Sequence, residues 1–121
     1  MRRSSSQSNQ FYTAAAEEAA DVPLPAAPQA LLVQRARRLR RRGETRRAML
    51  ILREACHTFE NCARLWTLYA VECTRLGRRD DAVEALERAI WLRDRNRDAA
   101  RARVTRQLLE RLTQGNFPRA A

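Results

Sequence analysis

The sequence predicts an all-α fold, a short right-handed α-solenoid of two helical hairpins closed by a C-terminal capping helix. Three observations carry this. Apolar residues recur at helical spacing in five successive segments, and no segment alternates like a strand. Shifting the chain by 34 residues superimposes residues 29–62 on 63–96 with seven identities: Leu31/Leu65, Ala36/Ala70, Arg41/Arg75, Gly43/Gly77, Ala48/Ala82, Leu52/Leu86 and Ala55/Ala89. The shared Gly falls between the helices of each pair, and the shared Ala falls where two helices must approach closely.

Residues 1–28 come first and are set apart by composition. They are rich in Ser, Gln and Asn, then Ala, then the run Val22-Pro23-Leu24-Pro25. Few large apolar side chains are present to offset ordering entropy, so a disordered tail is expected. A short helix over Thr13–Ala20 is compatible with it. Phe11 and Tyr12 are either an exposed pair or a small anchor for the domain or a partner.

The helical domain spans residues 29–113. The first hairpin carries Leu31, Leu32, Ala36 and Leu39, then Ala48, Leu52 and Ala55 after Gly43. The second carries Leu65, Leu68, Tyr69 and Leu76, then Ala82, Val83, Leu86, Ala89 and Ile90 after Gly77. Asp80 and Asp81 suit the positive end of a helix dipole. The cap, residues 97–113, presents Ala100, Val104, Leu108 and Leu112, with Gly115 and Pro118 ending it and residues 114–121 left as a flexible C-terminus. Two repeats are few, so this helix is expected to seal Leu86 and Ile90, with Trp91 and Leu92 packed beside them. An exposed Trp91 would instead mark an edge where another molecule stacks.

These residues resemble the tetratricopeptide repeat. The second repeat reads Trp66, Tyr69-Ala70, Cys73, Gly77, Ala82, Leu86, Ala89, where the family pattern has Trp, Leu-Gly, Tyr, Gly, Ala, an aromatic and Ala. Asp94 stands where the family closes on Pro. In the first repeat Leu32 stands for Trp, Arg35-Ala36 for Leu-Gly and Leu39 for Tyr. Leu65-Trp66, Tyr69 and Glu87-Arg88-Ala89-Ile90 also resemble the half-a-tetratricopeptide repeats of RNA-processing assemblies, a second-ranked likeness.

Composition narrows the chemistry. Net charge is +10, and all 24 basic residues are Arg. Either function demands Arg, whose planar fork pairs with carboxylate and phosphate, or a GC-rich genome supplies it. Plentiful Ala and absent Lys favour the second. Eight Arg fall between Arg35 and Arg47, giving residues 29–62 a charge of +6 against +1 for residues 63–96. This lopsided charge is a solvated face, a surface for an acidic protein, or a phosphate-binding surface.

Catalysis and cofactors are not expected. His57 is the one histidine, and no acid–base constellation or Gly-rich phosphate loop accompanies it. Cys56, Cys62 and Cys73 lack structural-zinc spacing, and an odd thiol count without a secretory signal points to a reducing, cytoplasmic compartment. No apolar run approaches the roughly 18 residues that span a bilayer.

The resemblance implies that the first helix of each pair lines a concave groove. That puts Val33, Arg37, Arg40 and Arg41 on the groove from repeat one, Arg64, Thr67, Val71, Thr74 and Arg75 from repeat two, and Arg101 from the cap. The expected function is a non-enzymatic protein-interaction module, an adaptor or small chaperone-like scaffold, gripping an acidic or extended peptide of a partner. The alternative is an Arg-rich RNA-binding repeat. The family's carboxylate-clamp positions hold Val33, Arg37 and Leu68, so chaperone-tail binding is not implied.

Overall fold

The computed structural model describes residues 27–115. Expectations about the N-terminal tail, Phe11 and Tyr12, and the chain beyond Gly115 lie outside them. Five helices follow in order: α1 (Pro28–Arg41), α2 (Thr45–Thr58), α3 (Ala63–Arg75), α4 (Arg79–Arg95) and α5 (Ala99–Thr113). No strand occurs among the described residues, and no described helix is long and apolar enough to cross a membrane. Each helix packs against the next in the chain.

Local chemistry sets the helix ends. Pro28 occupies the first turn of α1, where its missing N–H costs no hydrogen bond. Gly43 and Gly77 adopt positive φ (80° and 72°) and end α1 and α3 in the same way. The Gly43 N–H donates to the Arg40 carbonyl and the Glu44 N–H to the Leu39 carbonyl, both at 2.9 Å. Gly77 and Arg78 repeat this onto Thr74 and Cys73 at 3.1 and 2.8 Å. These are Schellman closures, which satisfy the last carbonyls of a helix and turn the chain back.

The core runs through all five helices. Ala36, Ala48, Ala55, Ala70, Ala82 and Ala89 are all buried, as their place in the 34-residue match requires. Met49, Leu52, Leu65, Tyr69, Leu86 and Leu92 fill the space between them. Cys56 and Cys73 are buried as well, and burial pushes the Cys56 thiol up to about 12. A thiol so raised stays protonated at neutral pH and behaves as a small hydrophobe.

The last helix departs from expectation. Ala100 and Val104 are exposed, Val104 at 56%, while Ala102, Thr105 and Leu112 are buried and Leu108 and Leu109 half-buried. The cause is the length of α4. It has 17 residues against 14 in α2, which displaces α5 from the 34-residue match, so that its residues answer to those 36 earlier in α3. Two residues turn a helix by about 200°, which carries Ala100 and Val104 to the outer side. On the 36-residue spacing Trp66, Tyr69, Cys73 and Leu76 of α3 map onto Ala102, Thr105, Leu109 and Leu112 of α5. Thr105 is tolerated in the interior because its hydroxyl donates to the Arg101 carbonyl at 2.7 Å and accepts from Arg93. Leu31, expected on the apolar side of α1, is 52% exposed, and the buried positions there are Val33 and Ala36.

The extra turn of α4 also changes its ending. The Arg97 N–H donates to the Asp94 carbonyl at 3.0 Å and the Asp98 N–H to the Arg93 carbonyl at 2.8 Å, the same closure that Gly43 and Gly77 make. Here an arginine holds the positive φ, 58°. A Cβ in that conformation costs about 1–2 kcal/mol.

Two outcomes are expected. Arg97→Gly raises the melting temperature by a few degrees, since about 1 kcal/mol of relieved strain corresponds to roughly 4–8 °C in a domain of this size. An unchanged or lowered melting temperature contradicts this. Ala82→Leu costs about 1–3 kcal/mol by overpacking a close helix crossing, whereas Arg103→Ala at an exposed position leaves thermal unfolding unmoved.

Candidate functional site

The odd-numbered helices share one face, and two recesses lie along it. The first, about 120 Å³, lies between α1 and α3 and is lined by Val33, Arg37, Arg40, Leu68, Val71 and Glu72. The second, about 270 Å³, lies between α3 and α5. Its walls are Val71, Leu86, Leu108 and Leu112, with Thr74, Arg75 and Arg111 beside them. Val71 borders both recesses, so they adjoin and mark out a path across three helices.

A single acid organises this path. Glu72 is 5% exposed, yet it carries a carboxylate beneath the first recess. The Arg75 guanidinium donates to both of its oxygens, at 3.1 and 3.4 Å, and Arg40 of α1 lies 3.9 Å away. Burial pushes the Glu72 carboxyl above its ordinary range, against the opposing pull of Arg75 and then Arg40. Desolvation therefore outweighs two cations, and the pairing offsets only part of the cost of burying the charge. One consequence is positional. Arg40 and Arg75 are held to an internal acid, while Arg37 and Arg111 have no ion-pair partner among the described residues.

The structure brings six of the ten expected groove residues onto this path: Val33, Arg37, Arg40, Val71, Thr74 and Arg75. Val33 is itself buried and serves as floor. Thr74 lines the second recess, and its hydroxyl donates to the Ala70 carbonyl at 2.8 Å. Thr67 is half-buried and likewise bonded back to Ala63, at 2.9 Å. Arg64 and Arg101 meet elsewhere, in a separate recess of about 270 Å³ at the N-terminal ends of α3 and α5, together with Arg93 and Asp98. Arg101 is tied there to Asp98 at 3.0 Å, a contact that also holds the Asp98 carboxyl below its usual range. Arg41 is exposed in the last turn of α1.

Sequence reasoning missed Glu72, Leu108 and Arg111. Glu72 reads as one more solvated charge on an amphipathic helix, because only the packing of α1 against α3 buries it. Leu108 is expected only as part of a sealing cap and Arg111 carries no signal of its own; the offset that brings both beside Val71 depends on the unbroken run of α4.

The Tetratricopeptide repeat family matches residues 28–72, which covers the first hairpin and most of α3. No curated protein and no solved structure matches the chain.

Glu72→Gln is expected to reveal the cost of the buried charge. A carboxyl raised in the folded state binds its proton more tightly there than in the unfolded chain. Its contribution to stability is therefore present at low pH and is lost as pH rises from the ordinary value of 4.5 through the raised one. The amide has no such loss. The melting temperature of the variant minus that of the wild type should increase from pH 4.5 upward and then level off. A difference that is constant or falls across this range contradicts the assignment.

Proposed function

We propose that this chain, which carries a tetratricopeptide repeat over residues 28–72, is a protein-interaction module that holds an extended acidic peptide segment along the face of α1, α3 and α5. Binding proteins is the general use of the repeat; the acidic segment is our reading of this face. The observation that carries it is the apolar recess of Val71, Leu86, Leu108 and Leu112 with Arg111 at its side, adjoining the recess of Arg37 at Val71.

The parts divide the work by their physics. A recess of about 270 Å³ is smaller than most drug-sized ligand sites, about 300–1,000 Å³, and suits one bulky aliphatic side chain of a peptide. Burying such a side chain contributes about 1.5–3 kcal/mol. Arg37 and Arg111 flank the path as free forks for carboxylates. Being exposed, each contributes under about 1 kcal/mol, so they choose the partner and its register more than they hold it. Arg40 and Arg75 are kept in place by Glu72, which lowers the net charge of the floor and disfavours nonspecific polyanions. Nothing in this scheme needs a reaction, so the module acts as an adaptor or a small chaperone-like scaffold, in the cytoplasm.

Paired charge reversals test this. Arg37→Glu with Arg111→Glu alters the path, while Arg46→Glu with Arg47→Glu alters the net charge equally at the exposed start of α2. The probes are a synthetic acidic peptide with one central Leu and a single-stranded oligonucleotide of similar charge. The first pair should weaken peptide binding about tenfold or more while the second changes it little. Equal losses from both pairs, with tighter oligonucleotide binding and a steep salt slope, would assign the surface to nucleic acid instead.

A further inference from the structure

The exposed large apolar side chains of the described residues gather at the two ends of the helical stack. Leu31 and Leu50 lie on the first hairpin, and Trp91 and Val104 on the last two helices. The C-terminal end is unfinished in a specific way. On the 34-residue spacing, Met49 and Cys56 of α2 are wholly buried, while their counterparts Val83 and Ile90 of α4 are only half-buried. α4 meets α3 on one side and α5 on the other, and no further helix follows among the described residues.

What remains open is a cleft of about 540 Å³ between α4 and α5. Ile90, Trp91 and Leu109 give it an apolar floor. Trp91 stays 49% exposed even with the Arg88 and Arg95 guanidiniums stacked on its ring at 4.8 and 5.1 Å. The polar walls are mostly acidic. Asp94 is paired with Arg106, which leaves Glu87 and Glu110 without an ion-pair partner among the described residues. The cleft therefore holds two free carboxylates beside the two guanidiniums stacked on Trp91.

The opposite end of the stack offers a match. Leu31, Arg35 and Arg38 follow one another at helical spacing and form a single exposed stripe on α1, with Arg42 just past its end. It faces away from Val33, Ala36 and Arg40, which turn inward. None of the three arginines has an ion-pair partner among the described residues. The stripe thus combines an apolar anchor with cations in a row. The cleft combines an apolar floor with two free carboxylates.

We propose that the α4–α5 cleft takes the outer stripe of α1 from a second copy of this chain, so that the protein associates head to tail. Leu31 of one copy sits on Ile90, Trp91 and Leu109 of the next, and Arg35 and Arg38 reach Glu87 and Glu110. Such a contact is heterologous: each copy uses one end as donor and the other as acceptor, and growth continues unless a ring closes. Association between copies is concentration-dependent, and salt screens both the carboxylate–guanidinium attraction and the repulsion between copies of net charge +10. The face of α1, α3 and α5 is left free by this arrangement, so the proposal does not rest on the peptide-binding reading.

Full-length protein is used for the test, by sedimentation velocity over a range of concentrations at low salt, with circular dichroism as the folding control. Two double variants are compared: Arg35→Glu with Arg38→Glu at the head, and Glu87→Arg with Glu110→Arg at the tail. All four positions are at the surface, so both variants should fold. The wild type should sediment as a concentration-dependent series, each variant alone as a monomer, and the mixture of the two should associate again, because each restores an opposite-charge pair. A tenfold or greater weakening in each variant alone is the expected size of effect. A wild type that stays monomeric overturns the proposal. So does a head variant that still self-associates, since two copies meeting through their tail clefts alone would be indifferent to Arg35 and Arg38. A mixture that stays monomeric while the wild type associates overturns it as well.

Discussion

Close approach of helices at six buried alanines is the constraint on which the rest of this molecule depends. Ala36, Ala48, Ala55, Ala70, Ala82 and Ala89 bring backbones near enough for Met49, Leu52, Leu65 and Leu86 to interdigitate. A domain of this size keeps much of its surface wet, and a methyl at each crossing lets a thin core still reach close packing. The same crossings decide which residues of α1 and α3 become the shared face. Val71 lines two recesses because its helix is pressed between two others on that side.

Within that frame, charge is distributed by burial more than by number. The excess of arginine gives a broad positive field, but the geometry sorts individual residues into different states. Arg40 and Arg75 are bound to a buried acid, Arg101 to Asp98, and Arg88 and Arg95 to an aromatic ring. Arg37 and Arg111 stay free at the recesses. A genome-driven surplus of Arg and a functional use of a few of them are therefore compatible. The composition concerns the whole chain, whereas recognition concerns the few guanidiniums with no internal partner.

The one extra turn of α4 has consequences at two places. It places Arg97 in a conformation that glycine holds at the other two closures of the same type. It rotates α5 so that Thr105 is internal and Val104 external. Trp91 stays exposed at the edge of the α4–α5 cleft, where the sequence predicts that the last helix covers that side chain. A local change in helix length thus reshapes both the candidate peptide face and the C-terminal end.

The sequence by itself determined the helical class, the glycine closures at Gly43 and Gly77, and the alanine crossings. These follow from short-range physics: periodic apolar residues, positive φ that glycine takes most readily, and side chains small enough for contact. The resemblance to the tetratricopeptide repeat, rather than spacing, put Val33, Arg37, Val71 and Thr74 on a shared face, and all four line the two recesses. Only the tertiary structure decided the burial of Glu72, the rotation of α5 and the exposure of Leu31 and Trp91. Each depends on what lies on the far side of a helix, and the spacing of residues along one helix does not specify its neighbour. A carboxylate such as Glu72 looks the same in the chain whether water or two guanidiniums face it, and packing alone separates the two.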